Sequence, residues 1–271
     1  MWNLWWASEK YGVDNILVVH VRGLNRNNGP SEVKHVLNQQ KKLGFKHLEV
    51  IELHNGSLNT GYQVMRSRDM FLSGIITPIA MKFGASQIIT EGFQDTEPTE
   101  PFSGQESNMV YFNEILRKLD IPVQVNWHNR DEMLTVKDLF ENKPAWMPYV
   151  CNCFTIACYQ SSHRSTFQKV MPTFPLYGSQ CGVCVKCRII NVARILYDPS
   201  TRKVRPQDIR TFLENNDSYV FERIRKNKVK GINPKNDNLK DMIRGPFMRE
   251  FAIACKEYGV KAHSLSEVAN V

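Results

Sequence analysis

No stretch of this 271-residue chain approaches the ~20 consecutive apolar residues needed to cross a bilayer, so an integral membrane protein is not expected. Glycine-rich phosphate loops are missing too. Neither a Walker loop nor Gly-x-Gly-x-x-Gly occurs, which excludes the two commonest nucleotide fingerprints. There is no internal repeat and no low-complexity segment, and this removes solenoids and flexible tails. Charged residues make up an ordinary 23% against 42% hydrophobic, so wholesale disorder is excluded and the core has ample material. The opening Met-Trp-Asn-Leu-Trp-Trp run is apolar but short, lacks a basic front and meets charge at Glu9 and Lys10. It is not expected to be a signal peptide. Seven cysteines without such a leader are expected as reduced thiols in a cytoplasmic setting, serving metal binding or catalysis before disulfides.

What is present is organised by period. Residues 2–12 predict a helix with Trp2, Trp5 and Trp6 inward, and 15–21 a β-branched strand covered on both faces. A helix from Ser31 carries Val33, Val36, Leu37 and Leu43 on one stripe and closes at Gly44. His47–Leu53 is the next strand. Asp69–Phe83 predicts a helix burying Phe71, Leu72, Ile75, Ile76, Ile79 and Ala80, kinked at Pro78. A strand over 85–90 leads to Glu91-Gly92, then a helix at 107–119 and a strand at 122–126. Helices alternating with strands imply an α/β fold: a mostly parallel, Rossmann-like sheet with helices on both faces. Ligands of such sheets gather beyond the carboxyl ends of the strands, here His20-Val21-Arg22-Gly23, Leu53-His54-Asn55 and Glu91-Gly92.

The strongest chemical signal is Cys181-Gly-Val-Cys184-Val-Lys-Cys187, with Cys158 upstream. Cysteines two residues apart reach one tetrahedral ion with little strain, because the intervening glycine lets backbone amides face sulfur. Four thiolates make a closed structural zinc site. An iron–sulfur cluster is the chemical rival. Cys187 opens a helix with Ile189, Val192, Ala193 and Leu196 on one side, and its amino end favours anionic sulfur. Cys151 or Cys153 could replace Cys158, though both read better as small buried hydrophobes. Cys255 reads as core, and His163 as solvated.

Together these segments resemble the 7-cyano-7-deazaguanine synthase family of the PP-loop ATP pyrophosphatase superfamily. The resemblance rests on Thr155-Ile-Ala-Cys158-Tyr159, the three later cysteines, Phe71-Leu72-Ser73, Ile88-Ile89-Thr90-Glu91-Gly92, Phe102-Ser103-Gly104 with Phe112, and Glu32. It covers roughly residues 2–197. It implies an adenine-nucleotide alpha-hydrolase-like domain over residues 1–145 and a zinc subdomain over 146–200, and the chain's own charge and periodicity add a basic helical extension over 201–271. It implies zinc held by Cys158, Cys181, Cys184 and Cys187, with ATP, Mg²⁺, a deazapurine carboxylate and ammonia as reaction partners. The carboxylate would be adenylated, displaced by ammonia to the amide, and activated again to give the nitrile. By position His20, Val21 and Arg22 border adenine and ribose. Arg66 and Arg68 suit phosphates or the substrate carboxylate. Gly92 permits close ligand approach. A solvated helix start accounts for the two arginines equally well, and a satisfied buried histidine for His20.

The chain departs from that pattern in three places. The family's Ser-Gly-Gly-x-Asp-Ser loop is absent, and Met1 falls just after its position. The expectation is a first strand and loop upstream, with a non-catalytic relative as the alternative. Ser107 and Met109 stand where the family carries Asp and Arg, and the segment between Cys158 and Cys181 is long. Thr135 and Asp138 fall at a family helix start or simply cap one.

The net charge is +8, and residues 201–271 hold 15 Lys/Arg against 9 Asp/Glu. Three helices are predicted there, at 206–214, 218–227 and 239–259. Arg223, Arg225, Lys226, Lys228 and Lys230 form either a solvated face or a phosphate clamp for tRNA or DNA. Tyr219 and Phe221 are expected to pack inward. A homodimer is left open.

Overall fold

The computed structural model describes residues 2–22, 30–53, 61–92, 106–129, 132–149, 161–177, 180–230 and 245–268. The chain divides into two units, Met1–Arg130 and Asp131–Val271. Among the described residues no helix is long and apolar enough to cross a membrane.

The first unit alternates helix and strand: α1 (Trp2–Tyr11), a 3-10 turn, β1 (Leu17–Arg22), α2 (Pro30–Leu43), β2 (His47–Glu52), α3 (Gly61–Lys82), β3 (Gln87–Gly92), α4 (Glu106–Lys118) and β4 (Gln124–Asn129). Both strand pairings are parallel, as helical crossovers require. β1 pairs β2 from Leu17↔His47 to Arg22↔Glu52, and β3 pairs β4 from Gln87↔Gln124 to Gly92↔Asn129. Among the described residues these are two separate two-stranded sheets. The unit is therefore mixed α/β with small parallel sheets.

Its core lies where α3 and α4 cover β3 and β4. Ala80, Ile88, Met109, Leu116, Val123 and Val125 are buried there, with Phe112 and Trp127 packed against them. Met109, which stands where the resembled family carries a charged residue, is a core residue. Asn113 of α4 reaches Val125 twice: its Nδ2 donates to the Val125 carbonyl and its Oδ1 accepts from the Val125 N–H, both at 2.8 Å. In a parallel strand one residue's N–H and C=O point the same way. The side chain therefore occupies the edge of β4 away from β3 and satisfies groups that would otherwise invite another strand. Two predicted stripes differ from what forms. Leu37 is 49% exposed and Phe71 45% exposed, while Ser73 and Thr77 are buried beside Ala80. Their hydroxyls bond back to Asp69 and Ser73 carbonyls one turn earlier, so burial costs them no unpaired group.

The second unit is helical: α5 (Glu132–Asn142), a 3-10 turn at Pro144–Tyr149, α6 (Ser161–Val170), α7 (Val185–Tyr197), a 3-10 turn at Pro199–Lys203, α8 (Pro206–Lys230), α9 (Gly245–Glu257) and α10 (His263–Val268). α5 packs against α7 here. It begins at Glu132, so Thr135 and Asp138 lie inside it and not at its start. α7 was expected to bury one side. Instead residues 189–195 are all buried, Asn191 and Arg194 among them.

Arg194 is fully buried, with Nε 3.1 Å from Asp198 Oδ2, Nη1 donating to the Pro175 carbonyl and the guanidinium 3.8 Å from the Tyr177 ring centroid. Burial opposes ionisation of Asp198. Bonds from Ser200 and Tyr177, with the Arg194 charge, outweigh it and hold the carboxyl below its ordinary 3.8. The break expected near 215–217 does not occur, because the polar residues there are engaged. Asn216 accepts from Arg188, and Asp217 caps α10 by accepting from the His263 and Ser264 amides at 2.8 Å.

Two outcomes are expected. Asn113→Ala leaves the buried Val125 groups unpaired and lowers stability by roughly 1–3 kcal/mol in urea unfolding; an unchanged midpoint would remove the edge-blocking role. A depressed carboxyl contributes stability that is complete above its unfolded pKa and is lost as pH falls through the lower folded value. Asp198→Asn should therefore be less stable at neutral pH and lose less on acidification below about pH 4. Parallel pH–stability curves for the two proteins would contradict this.

Candidate metal centre

Cys181, Cys184 and Cys187 are brought together. Their sulfurs all lie within 4.8 Å of one another, and Cys181 Sγ is 3.9 Å from Cys187 Sγ. A tetrahedral ion with zinc–sulfur bonds of about 2.3 Å sets its sulfurs about 3.8 Å apart, so the three fit one zinc. An iron–sulfur cluster distributes four thiolates over several irons, at most two to each, which suits three mutually close sulfurs less well. The centre as shown comprises these three residues. Cys158 lies outside the described residues, as do Cys151 and Cys153.

The local sequence explains the convergence. Gly182 adopts φ +82°, the left-handed region that turns the chain sharply between the first two cysteines. A Cβ there would fall 2.3 Å from Phe167 Cγ, so only glycine lets the turn sit on that ring. Phe167 in turn meets Phe174 and Phe212 edge-on, and the loop rests on an aromatic floor. The Cys184 amide points at Cys181 Sγ from 3.4 Å. Cys184 then serves as the residue before α7, whose first turn holds Cys187. The amino end of a helix carries partial positive charge, which favours thiolate over thiol.

Two cations stand close by. Lys186 pairs with Glu132 of α5 at 2.5 Å. Arg188 donates through Nε to the Val183 carbonyl at 2.9 Å and through Nη1 to Asn216 Oδ1 at 2.6 Å, and lies 4.5 Å from the Tyr219 ring centroid. Burial lowers the Arg188 pKa, while Tyr219 and the three cysteines act the other way. Sequence reasoning missed Arg188, although an arginine directly after the last cysteine was its visible signal. Cys255 is different in kind. It is buried on α9 and its thiol is pushed up to about 12, first by burial and then by Asp217.

The residues implied for a nucleotide lie in the other unit. His20, Val21 and Arg22 close β1, in register with Val50, Ile51 and Glu52, and Gly92 closes β3 opposite Asn129. All four stand at carboxyl ends of parallel strands. Among the described residues, however, β1 and β3 are not paired with each other. Arg66 and Arg68 fall in the second turn of α3, which starts at Gly61, and Glu32 falls in the first turn of α2. The side chains of Arg22, Glu32, Arg66 and Arg68 lie outside the described residues, as does that of His163 on α6.

A further residue at such an edge is His128, opposite Glu91. Its Nδ1 lies 2.9 Å from Asn3 Oδ1, and Trp2 and Trp6 of α1 meet its ring edge-on. Burial, then Lys10, lowers its pKa and favours the neutral imidazole. The predicted strand stopped at Asn126, three residues short, which hid this position.

Removing one ligand tests the centre. If the three sulfurs hold zinc, Cys184→Ala should lower bound zinc well below one ion per chain and reduce the urea midpoint, since binding a structural metal is linked to folding. Undiminished zinc in that variant would contradict the assignment. No protein-family model matches this chain, and no curated protein matches it.

Proposed function

We propose that the chain is an ATP-dependent carbon–nitrogen ligase of the 7-cyano-7-deazaguanine synthase type, with a structural zinc in its second unit. The observation that carries the reading is the convergence of Cys181, Cys184 and Cys187 at the amino end of α7, in the spacing that the family uses for zinc. Cys158 is the fourth ligand in this reading. The two parallel strand pairs of the first unit support it as parts of one Rossmann-like sheet.

In this reading ATP lies beyond the carboxyl ends of β1 and β3. His20, Val21 and Arg22 border the adenine and ribose, and Gly92 leaves room for close approach. Arg66 and Arg68 face oxyanions, either phosphates or the substrate carboxylate, since a guanidinium fork matches both. A carboxylate is a poor electrophile. Its attack on the α-phosphate of Mg²⁺-bound ATP expels pyrophosphate, and ammonia then displaces AMP to leave the amide. A second ATP adenylates the amide oxygen with loss of pyrophosphate, and departure of AMP with both amide protons released leaves the nitrile. The protein contributes positioning and neutralisation of phosphate charge. Zinc takes no part in these steps.

The test is AMP formation from ATP with Mg²⁺, ammonia and 7-carboxy-7-deazaguanine. AMP release that depends on the deazapurine is expected; its absence at saturating substrate overturns the reading. A tRNA-modifying PP-loop enzyme is the second reading. It is favoured by Arg223, Arg225, Lys226, Lys228 and Lys230 all falling on one continuous helix, α8. AMP release requiring tRNA in place of the deazapurine would select it.

A further inference from the structure

We infer that Arg188 is the positioning residue that balances the charge of the metal–thiolate centre and ties it to α8. The inference rests on Cys181, Cys184 and Cys187 holding an ion. A divalent ion with three or four thiolates carries net negative charge, and burying such a charge without a counter-cation is costly. Two cations lie beside the cluster, and their partners separate their roles. Lys186 is neutralised by Glu132 at 2.5 Å. Arg188 has no such partner: among the described residues no aspartate or glutamate forms an ion pair with it.

What holds Arg188 is neutral. The Val183 carbonyl accepts from Nε at 2.9 Å, Asn216 Oδ1 accepts from Nη1 at 2.6 Å, and Tyr219 offers its ring face at 4.5 Å. These contacts fix direction without supplying countercharge. The anionic groups that remain are the sulfurs, one turn before Arg188 at Cys184, next to it at Cys187, and across the loop at Cys181. The Val183 contact is informative by itself, because that carbonyl belongs to the turn between two ligands. The guanidinium therefore clasps the metal-binding loop from inside while Asn216 and Tyr219 anchor it to α8. Partners behind metal ligands commonly govern affinity by 10–100-fold.

Zinc affinity of the full chain, measured by competition with a chromophoric chelator, tests this. Arg188→Met should weaken zinc binding by about 10–100-fold, and Arg188→Lys, which restores the charge, should recover most of the loss. Should Arg188→Met not fold by circular dichroism, Asn216→Asp decides. It keeps volume and the bond to Nη1 but gives the guanidinium a carboxylate, so zinc should bind at least about 10-fold more weakly. A purely structural contact predicts unchanged or tighter binding in Asn216→Asp, and that result overturns the inference. Equal affinity of a folded Arg188→Met overturns it too. A wild-type chain that takes up no zinc at all overturns the metal centre itself, which is a distinguishable failure.

Discussion

Thiolate sulfurs repel one another, and the second unit gathers three cysteine sulfurs within 4.8 Å. Two unit negative charges about 4 Å apart cost about 4 kcal/mol at the effective dielectric of a partly exposed site. Three sulfurs within 4.8 Å of one another therefore persist either as neutral thiols or around a cation. Several details of the fold favour the anionic alternative. The Cys184 amide aims at Cys181 Sγ, the amino end of α7 follows, and Arg188 stands by without a carboxylate of its own. Each is a small favourable term for negative sulfur and a wasted or unfavourable one for a thiol. A bound dication makes them mutually consistent.

That requirement reaches along α7 into the rest of the unit. The helix is buried throughout residues 189–195, and its two arginines find partners inside. Arg188 finds them on α8, and Arg194 finds Asp198, the Pro175 carbonyl and the Tyr177 ring. The segment before the cysteines is held by the same means, since Thr173 donates to Asp208 at the start of α8. The second unit thus combines aromatic and aliphatic packing with a chain of charge-assisted bonds that begins at the cysteine loop. In the first unit apolar packing of α3 and α4 on β3 and β4 dominates, and Asn113 occupies the edge of β4 away from β3.

Much of this was legible in the residues. A strand was expected at or near each of the four that the described residues form, and the cysteine spacing located the three sulfurs that converge. Most of what escaped the sequence shares one physical cause: polar residues that work inside the protein. Asn216 and Asp217 read as a helix break but bond to Arg188 and cap α10 within an unbroken α8. Ser73 and Thr77 were not among the residues expected to fill the buried side of α3, yet they back-bond and turn inward, leaving Phe71 outside. α7 read as amphipathic because Asn191 and Arg194 are polar, and periodicity cannot reveal that an arginine has three partners waiting. His128 was hidden for a simpler reason, a strand end misjudged by three residues.

The account stands on one ion bound by sulfur at Cys181, Cys184 and Cys187. X-ray absorption at the zinc edge of the purified chain measures this directly. A single zinc per chain with sulfur neighbours at about 2.3 Å, at least three of them, is the result expected. Metal-free protein, or zinc surrounded by oxygen and nitrogen with no sulfur shell, would contradict it.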